Sequence, residues 1–291
     1  MAAFRAALAL TDDEWVEFLA GERLLDGHTA PPLPPPDVQR AFVGSSGLDA
    51  MHEAGLFYSH VLRALRARDV PADAIGRVLD FGSGWGRIYR LFLRNCDDGN
   101  LVGVDLDPAC VALCATAMPY GTFAVCEPLP PLELREASFD VVTAYSVFSH
   151  LAEAPFRAWL VEFARVLRVG GTVFFTTLKE AHIAAWDAGR SEVAHGAALA
   201  SVGFNAVEWK ARAEAGELLF VPTGGGGPRS ASFYGETVVP RAFSSGKSHC
   251  SASTWSSSGP TTTCRRRSSR SRSGRRQAAR PGHSPSSRFG C

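Results

Sequence analysis

Short and nearly continuous apolar runs alternate with helical stretches through the middle of the chain. The five runs are Arg77–Phe81, Leu101–Asp105, Thr122–Cys126, Phe139–Tyr145 and Thr172–Thr177. Unbroken apolar character is typical of parallel strands that are covered on both faces. Between the last two runs, Ala154–Arg168 carries an apolar stripe at helical spacing, and Gly170–Gly171 is expected to close that helix. The pattern predicts an α/β fold with a doubly wound, mostly parallel sheet and right-handed crossovers.

The chain before the first strand is predicted to contain helices and a connector. Thr11 and Glu14 have the spacing of a capping box at the start of a short helix. Apolar residues recur every three or four positions over Leu48–Arg66, which predicts a second helix. Between these helices the proline-rich segment Ala30–Asp37 is expected to run as an extended polyproline connector.

Charge and cysteine usage narrow the classes of partner. The net charge of the chain is +1, but residues 244–291 hold nine Arg and one Lys with no Asp or Glu, so residues 1–243 carry −9. An acidic body disfavours nucleic-acid binding. The seven cysteines lack C-x-x-C spacing, which disfavours a zinc site and favours a reducing compartment. No apolar run is long enough to span a membrane. We therefore expect a cytoplasmic protein with no metal and no membrane partner.

The segment "VLDFGSGWGR", residues 78–87, places three glycines at alternate positions directly after the first predicted strand. A loop there lies at the carboxyl edge of the sheet, where such folds bind ligands, and glycines let the backbone approach a ligand closely. The dinucleotide fingerprint G-x-G-x-x-G would require glycine where this chain has Arg87. This difference disfavours a nicotinamide dinucleotide.

Two acidic residues indicate the chemistry of the ligand. Asp80 stands beside the glycine loop, where a carboxylate would repel a pyrophosphate but suit an ammonium group. Asp105 ends the second predicted strand, where an acidic side chain can bind both hydroxyls of a ribose. S-adenosylmethionine has a ribose, a cationic amino-acid part and no phosphate. The loop taken alone remains compatible with any nucleotide-binding Rossmann-like domain.

Four segments resemble, in order, the successive motifs of class I S-adenosylmethionine-dependent methyltransferases, in particular a bacterial group with a "DFGCGWGR"-like loop. These segments are "VLDFGSGWGR", "LVGVDLDP", "ASFDVVTAYSVFSHL" and "RVLRVGGTVFFTT", and the resemblance covers about residues 75–178. It implies a Rossmann-like fold with S-adenosylmethionine as cofactor and says little about the acceptor. Ser83 stands where many members have Cys or Ala, and Val169 replaces a common Pro.

The resemblance also implies which residues contact the cofactor. They belong to the glycine loop and to the ends of the second, third and fourth strands: Asp80, Gly82, Ser83, Gly84, Gly86, Asp105, Leu106, Glu127 and Tyr145. Asp80 and the loop would lie against the methionine part. Asp105 would hold the ribose, with Leu106 beside the adenine and Glu127 near its edge.

The end of the fourth strand is where acceptor and methyl group are expected to meet. His150 could act there as a general base toward an acceptor hydroxyl or amine, or could simply pack at the strand end. Tyr145 could line the cofactor pocket and take part in catalysis, or only pack there. Because a sulfonium methyl group is already activated, in-line displacement can rest mostly on positioning.

The pattern changes abruptly after Phe243. From Ser244 to Cys291 there is no Leu, Ile, Val or Met, and 15 Ser and 9 Arg make up half of the 48 residues. Such a segment buries too little apolar surface to fold, so it is predicted to be a disordered basic tail. Methyltransferases of this class are expected to complete the sheet here with two more strands, which this chain is predicted to lack.

Two hypotheses explain the tail. Its sequence "RRRSSRSRSGRR" would bind polyanions non-specifically through charge. Alternatively, the reading frame is wrong from about Phe243 onward, because shifted frames in GC-rich DNA yield mainly Arg, Ser, Pro, Gly, Thr and Cys. We favour the second hypothesis, since an abrupt break in a folding pattern indicates inconsistency. Sequencing the locus tests it, and the idea fails if neither shifted frame encodes hydrophobic strands.

The sequence therefore predicts four regions and one leading function. Residues 1–70 are expected to hold N-terminal helices and the connector, 71–180 the cofactor-binding core, 181–243 an insertion on the substrate side, and 244–291 the tail. The leading function is methyl transfer from S-adenosylmethionine to a small molecule. The alternatives are a degenerate, non-catalytic member that binds cofactor or scaffolds a partner and, less favoured, an NAD-dependent oxidoreductase.

Overall fold

The computed structural model describes residues 4–21, 29–97, 99–189, 195–243 and 261–265. These described residues form eight strands: β1 (Val78–Phe81), β2 (Leu101–Asp105), β3 (Thr122–Val125), β4 (Phe139–Ala144), β5 (Leu167–Thr176), β6 (Leu219–Val221), β7 (Glu236–Val238) and β8 (Thr261–Arg265). Six of them form one sheet in the order β3-β2-β1-β4-β5-β8, and β6 pairs with β7 in a separate antiparallel ribbon.

The central five strands confirm the predicted doubly wound sheet. β1 to β5 pair in parallel, and the chain order reverses between β1 and β4. Such a reversal opens a crevice at the carboxyl ends of the two strands, and ligands bind there in folds of this type. The glycine loop leaves β1 at this point and Tyr145 leaves β4 at the same edge.

Two details of the strand prediction are wrong. β3 lies at the edge of the sheet and is mostly exposed, because only β2 pairs with it. Gly170–Gly171 does not close a helix but lies inside β5, which begins at Leu167 immediately after the preceding helix. Gly171 faces the backbone oxygen of Asp140 so closely that a side chain there would stand 3.1 Å from it.

The sheet also has a strand where the sequence predicts none. β8 pairs antiparallel with β5, from Thr172 opposite Arg265 to Thr176 opposite Thr261. β8 contains three consecutive threonines, which are β-branched and favour strand geometry, and β5 offers an unpaired edge to them. One antiparallel strand is thus present. The rest of the predicted disordered tail, 244–260 and 266–291, lies outside the described residues.

The described residues also form eight α-helices: α1 (Asp12–Leu19), α2 (Pro36–Val43), α3 (Gly47–Arg66), α4 (Pro108–Ala117), α5 (Glu153–Val166), α6 (Ala181–Asp187), α7 (His195–Ser201) and α8 (Ala206–Glu214). The predicted capping box at Thr11 and Glu14 is present and opens α1. The connector is shorter than expected, because α2 begins at Pro36, where the fixed φ of proline suits the first helical turn. None of these helices, in the part of the chain that the structure describes, is both long and apolar enough to cross a membrane.

Arg94 binds the N-terminal segment at the start of α1. It ends the 3-10 helix Tyr89–Arg94 that follows the glycine loop, and its side chain is 3% exposed. The guanidinium donates to the backbone oxygens of Ala7, Leu10 and Thr11 and pairs with the carboxylate of Asp12. A buried cation with this many partners fixes the start of α1 beneath the site.

Residues 181–243 build a separate apolar cluster beside the sheet. Its core contains Trp186 and Trp209 from α6 and α8 together with side chains of β6 and β7. The segment around β7 is joined to the loop after β4, since Gly235 donates to the oxygen of His150 at 2.8 Å and Thr237 donates to the oxygen of Ser149 at 2.7 Å. This region therefore forms one wall of the crevice.

Candidate functional site

A cavity of about 410 Å³ lies at the carboxyl ends of β1, β2 and β4. Eight of the residues predicted to form the site line it: Gly82, Ser83, Gly84, Asp105, Leu106, Glu127, Tyr145 and His150. The two predicted residues that do not line it are Asp80 and Gly86. The structure thus brings together residues that are far apart in the sequence, and their roles toward a ligand remain proposals.

The three glycines of the loop have different surroundings. All have positive φ, which glycine alone adopts without strain. A Cβ on Gly82 would stand 2.4 Å from a methyl group of Val147, and one on Gly86 would stand 2.6 Å from the terminal methyl of Met118. Nothing lies within 4 Å of the corresponding position at Gly84. Gly82 and Gly86 therefore serve packing, whereas Gly84 leaves space free at the cavity.

Asp105 is held in place by two backbone donors. Its Oδ2 accepts a hydrogen bond from the N–H of Gly84 at 2.8 Å, and its Oδ1 accepts one from the N–H of Asp107 at 2.9 Å. The residue is 5% exposed and lines the cavity. Each carboxylate oxygen retains capacity for a second donor, which suits the two hydroxyls of a ribose.

Asp80 lies beneath the loop and is fully buried. Its Oδ1 accepts a hydrogen bond from the hydroxyl of Thr143 at 2.9 Å, and its Oδ2 is buried without a hydrogen-bond partner. Burial raises the pKa of this carboxyl from 3.8 to about 7, against the opposing effect of the Thr143 hydroxyl. Because Asp80 does not line the cavity, the predicted direct contact with an ammonium group stays a proposal.

Arg229 is a cavity residue that the sequence does not single out. It lies in the four-glycine loop between β6 and β7, and its guanidinium stands 3.9 Å from Oδ1 of Asp105 and 3.6 Å from Oδ2 of Asp107. The ring of Phe42 lies 5.9 Å from the same guanidinium. The predicted ribose carboxylate therefore already has a cationic neighbour.

Tyr145 belongs to a second cluster at the cavity wall. Its hydroxyl donates to Oε1 of Glu53 at 2.7 Å, and Nη1 of Arg87 donates to Oε2 of the same carboxylate at 3.1 Å. The Arg87 guanidinium also stands 5.0 Å from the centre of the Tyr145 ring. Burial and the neighbouring Glu53 carboxylate raise the pKa of the Tyr145 phenol. This side chain is thus a hydrogen-bond donor rather than a base.

The residues present suit S-adenosylmethionine. At the glycine loop, three buried polar atoms have no hydrogen-bond partner among the residues that the structure describes: Oδ2 of Asp80, Oγ of Ser83 and Nε1 of Trp85. Buried polar atoms are normally satisfied, so orphaned ones clustered at one loop are consistent with a ligand that supplies partners. The free space at Gly84 and the anchored carboxylate of Asp105 lie beside them. Among the described residues there is no cluster of His, Cys, Asp and Glu that could hold a metal ion.

Residues 79–175 match the family described as methyltransferase domain. The match covers about a third of the 291 residues and spans β1 to β5. It confirms the resemblance stated from the sequence, and with it S-adenosylmethionine as the cofactor of this class. None of the curated proteins matches the chain.

Solved structures with a similar core include three from different organisms. A S-adenosylmethionine-dependent methyltransferase from Mesorhizobium loti is 24% identical over 42% of this chain and 54% of its own, with a TM-score of 0.34. An S-adenosylmethionine-bound amino pentose methyltransferase from Micromonospora echinaspora is 23% identical over 50% of this chain and 58% of its own, with a TM-score of 0.39. A protein from Pyrococcus horikoshii is 15% identical over 72% of this chain and 91% of its own, with a TM-score of 0.46.

The residues in or beside the cavity that were not predicted from the sequence include Phe42, Glu53, Arg229 and Glu236. Phe42 and Glu53 come from the N-terminal helices, Arg229 from the loop between β6 and β7, and Glu236 is the first residue of β7. The run of glycines at 224–227 predicts a loop. Its destination depends on how the surrounding segments dock on the sheet, which no local pattern reveals.

Proposed function

We propose that this chain transfers a methyl group from S-adenosylmethionine to a small-molecule acceptor bound in the same cavity. The observation that carries the proposal is the junction of Gly84 and Asp105, which joins the glycine loop to the end of β2 beside free space and orphaned polar atoms. A bound S-adenosylmethionine supplies an activated methyl group on a sulfonium centre.

The residues have distinct roles in this proposal. Asp105 binds the ribose hydroxyls, and Leu106 and Glu127 lie on the adenine side. The glycine loop approaches the methionine part with its backbone, and the Asp80 carboxylate beneath the loop favours the positive charge of the ammonium group. Tyr145 and its Glu53–Arg87 partners form a fixed wall toward the acceptor. Catalysis then rests on holding the acceptor in line with the methyl group and excluding water.

An oxidoreductase is disfavoured by the environment of Arg87. The dinucleotide fingerprint requires glycine there, but the Arg87 side chain is buried, donates to Glu53 and to the backbone oxygen of Ala50, and is locked in the wall. The buried carboxylate of Asp80 also disfavours a pyrophosphate at the loop.

Calorimetric titration tests the proposal. We expect the folded protein to bind S-adenosylhomocysteine and not NADH. Incubation with a radiolabelled methyl donor and a metabolite panel then separates an enzyme from a non-catalytic binder, since only the enzyme transfers label. Absence of S-adenosylhomocysteine binding by well-folded protein would refute the proposal.

A further inference from the structure

We propose that His150 and Glu236 form a catalytic dyad in which His150, oriented by Glu236, acts as a general base and removes a proton from the acceptor. The acceptor is then a compound with a hydroxyl or an ammonium group. This inference rests on the proposed function, because it concerns the acceptor side of the same cavity. Four observations carry it: the proton position on the His150 ring, the direction of its second nitrogen, the fixing of the ring, and the surroundings of Glu236.

The proton position follows from the partners of Nδ1. This nitrogen lies 2.8 Å from the backbone oxygen of Gly235, and a carbonyl oxygen can only accept a hydrogen bond. Nδ1 therefore carries the proton in the neutral ring. Oε1 of Glu236 lies 3.5 Å from the same nitrogen. A carboxylate at this position orients the ring and stabilises the positive charge that forms when the other nitrogen takes a proton.

The second ring nitrogen, Nε2, is consequently a hydrogen-bond acceptor. Nε2 of His150 lies 3.4 Å from Oγ of Ser146, which is exposed and lines the same cavity. Ser146 has a φ of 58°, and its backbone N–H donates to Oγ1 of Thr176 at 2.7 Å. The Ser146 hydroxyl thus occupies a position at the cavity that an acceptor hydroxyl could take beside Nε2.

The ring is held by the segment around β7. Its plane stacks on Tyr234 with centroids 4.9 Å apart and an angle of 14°. The oxygen of His150 accepts a hydrogen bond from Gly235 at 2.8 Å, and the oxygen of Leu151 accepts one from the Thr237 hydroxyl at 2.7 Å. A catalytic base needs such a fixed orientation, because proton transfer requires close and directed approach.

Glu236 is placed for this task rather than for general solubility. Its side chain is 19% exposed, and within the described parts of the chain His150 is its only salt-bridge partner. A histidine that only packed at the end of a strand would need no carboxylate behind Nδ1.

The reaction balances without a further reagent. An oxygen or nitrogen of the acceptor forms a bond to the methyl carbon while the carbon–sulfur bond breaks and its electron pair stays on sulfur. The acceptor's proton passes to Nε2 of His150, which leaves an imidazolium beside the Glu236 carboxylate. The imidazolium then releases that proton to water. An ammonium acceptor gives one proton to Nε2 before its nitrogen attacks.

Acceptors with and without a removable proton test the substrate class. Catechol and tyramine carry such protons, whereas pyridine and dimethyl sulfide do not, and formation of S-adenosylhomocysteine measures all four. We expect methylation of a proton-bearing acceptor only. Glu236→Gln should lower its kcat by about ten- to a hundredfold and His150→Asn by about a hundredfold or more, with Glu236→Asp partly restoring the rate. Asn at position 150 keeps a donor for the Gly235 oxygen.

A second measurement needs no acceptor. Diethyl pyrocarbonate modifies unprotonated imidazole nitrogens. Peptide mass spectrometry at pH 8.5 measures the rate at which the reagent modifies His150 relative to His182. We expect Glu236→Gln to slow modification of His150 several-fold, while Glu217→Gln, an exposed carboxylate paired with Arg212, leaves it unchanged. If none of the four acceptors is methylated, these rates alone decide.

The outcomes separate this inference from the proposed function. Loss of S-adenosylhomocysteine binding by the unsubstituted protein refutes the proposed function, whereas each variant should bind it within about twofold of the unsubstituted chain. Methylation of pyridine or dimethyl sulfide as fast as catechol overturns the acceptor class. Unchanged turnover, or in its absence an unchanged modification rate, in Glu236→Gln overturns the dyad.

Discussion

The backbone N–H of Gly84 donates a hydrogen bond of 2.8 Å to Oδ2 of Asp105. This contact joins the loop after β1 to the end of β2, so a ligand on the loop and a ribose on the carboxylate would be parts of one molecule. The N–H of Asp107 fixes the other oxygen. The Asp105 carboxylate is therefore held in a fixed position at the cavity before any ligand binds.

Arg229 is expected to compete with the ribose for Asp105. Its guanidinium lies 3.9 Å from Oδ1 of that carboxylate, on a loop with four consecutive glycines. Arg229→Ala should therefore raise the affinity for S-adenosylhomocysteine about two- to fivefold, the range of a weak ion pair. Calorimetry measures this change. The matched control is Arg212→Ala, which removes a guanidinium of α8 that pairs with Glu217. This substitution should not change the affinity for S-adenosylhomocysteine. Weaker binding by Arg229→Ala would show that Arg229 contacts the ligand instead.

Asp80 is expected to make stability depend on pH. Its pKa is about 7 in the folded protein against 3.8 in the unfolded chain, because burial disfavours the charge. The folded state therefore holds a proton between pH 4 and 7 that the unfolded state releases. The stabilisation that comes from this extra proton on Asp80 is complete below pH 4 and is lost as the pH rises through 7. Over this range the free energy of unfolding falls by up to about 1.4 kcal/mol per pH unit.

Asp80→Asn removes this dependence while keeping an oxygen for the Thr143 hydroxyl. Urea unfolding of the cofactor-free protein at pH 5 and pH 8 measures the effect. The Asn variant should gain stability relative to the unsubstituted protein as the pH rises from 5 to 8. An identical pH dependence of the two proteins would contradict the predicted titration of Asp80 between pH 5 and 8.

Arg94 is expected to be essential for docking the N-terminal helices. Arg94→Met would leave the Asp12 carboxylate and the backbone oxygens of Ala7 and Leu10 without their buried donor. We expect a loss of about 3–5 kcal/mol in the free energy of unfolding. Thr11→Ala, which removes only the capping box of α1, should cost about 1 kcal/mol. Denaturant unfolding compares them, and equal losses would contradict the role assigned to Arg94.

The sequence predicts the sheet well because its strands have strong local signals. The apolar run Leu101–Asp105 coincides with β2, and the capping box of α1 is visible from two residues. β8 was missed because its threonines carry no apolar signal, and only the free edge of β5 makes them a strand. Gly170–Gly171 has the composition of a helix stop but lies in β5.

The candidate site is predicted in part for the same reason. The residues near the glycine loop and Asp105 follow their strands directly, so a parallel sheet brings them to one edge. Arg229 lines the cavity and Glu236 lies behind His150, and both belong to a segment that begins more than 70 residues after β4. Their positions depend on the hydrogen bond from the N–H of Gly235 to the backbone oxygen of His150, which forms only in the folded protein.

Binding of S-adenosylhomocysteine by the protein and by its Asp105→Ala variant tests the central claim most directly. Asp105→Ala removes the ribose acceptor and leaves the Gly84 N–H without its partner, so the account predicts measurable binding by the unsubstituted protein and at least a hundredfold weaker binding by the variant, about 2.7 kcal/mol. Circular dichroism confirms that both are folded. Equal affinities of the two proteins, or no binding by either, would contradict the account.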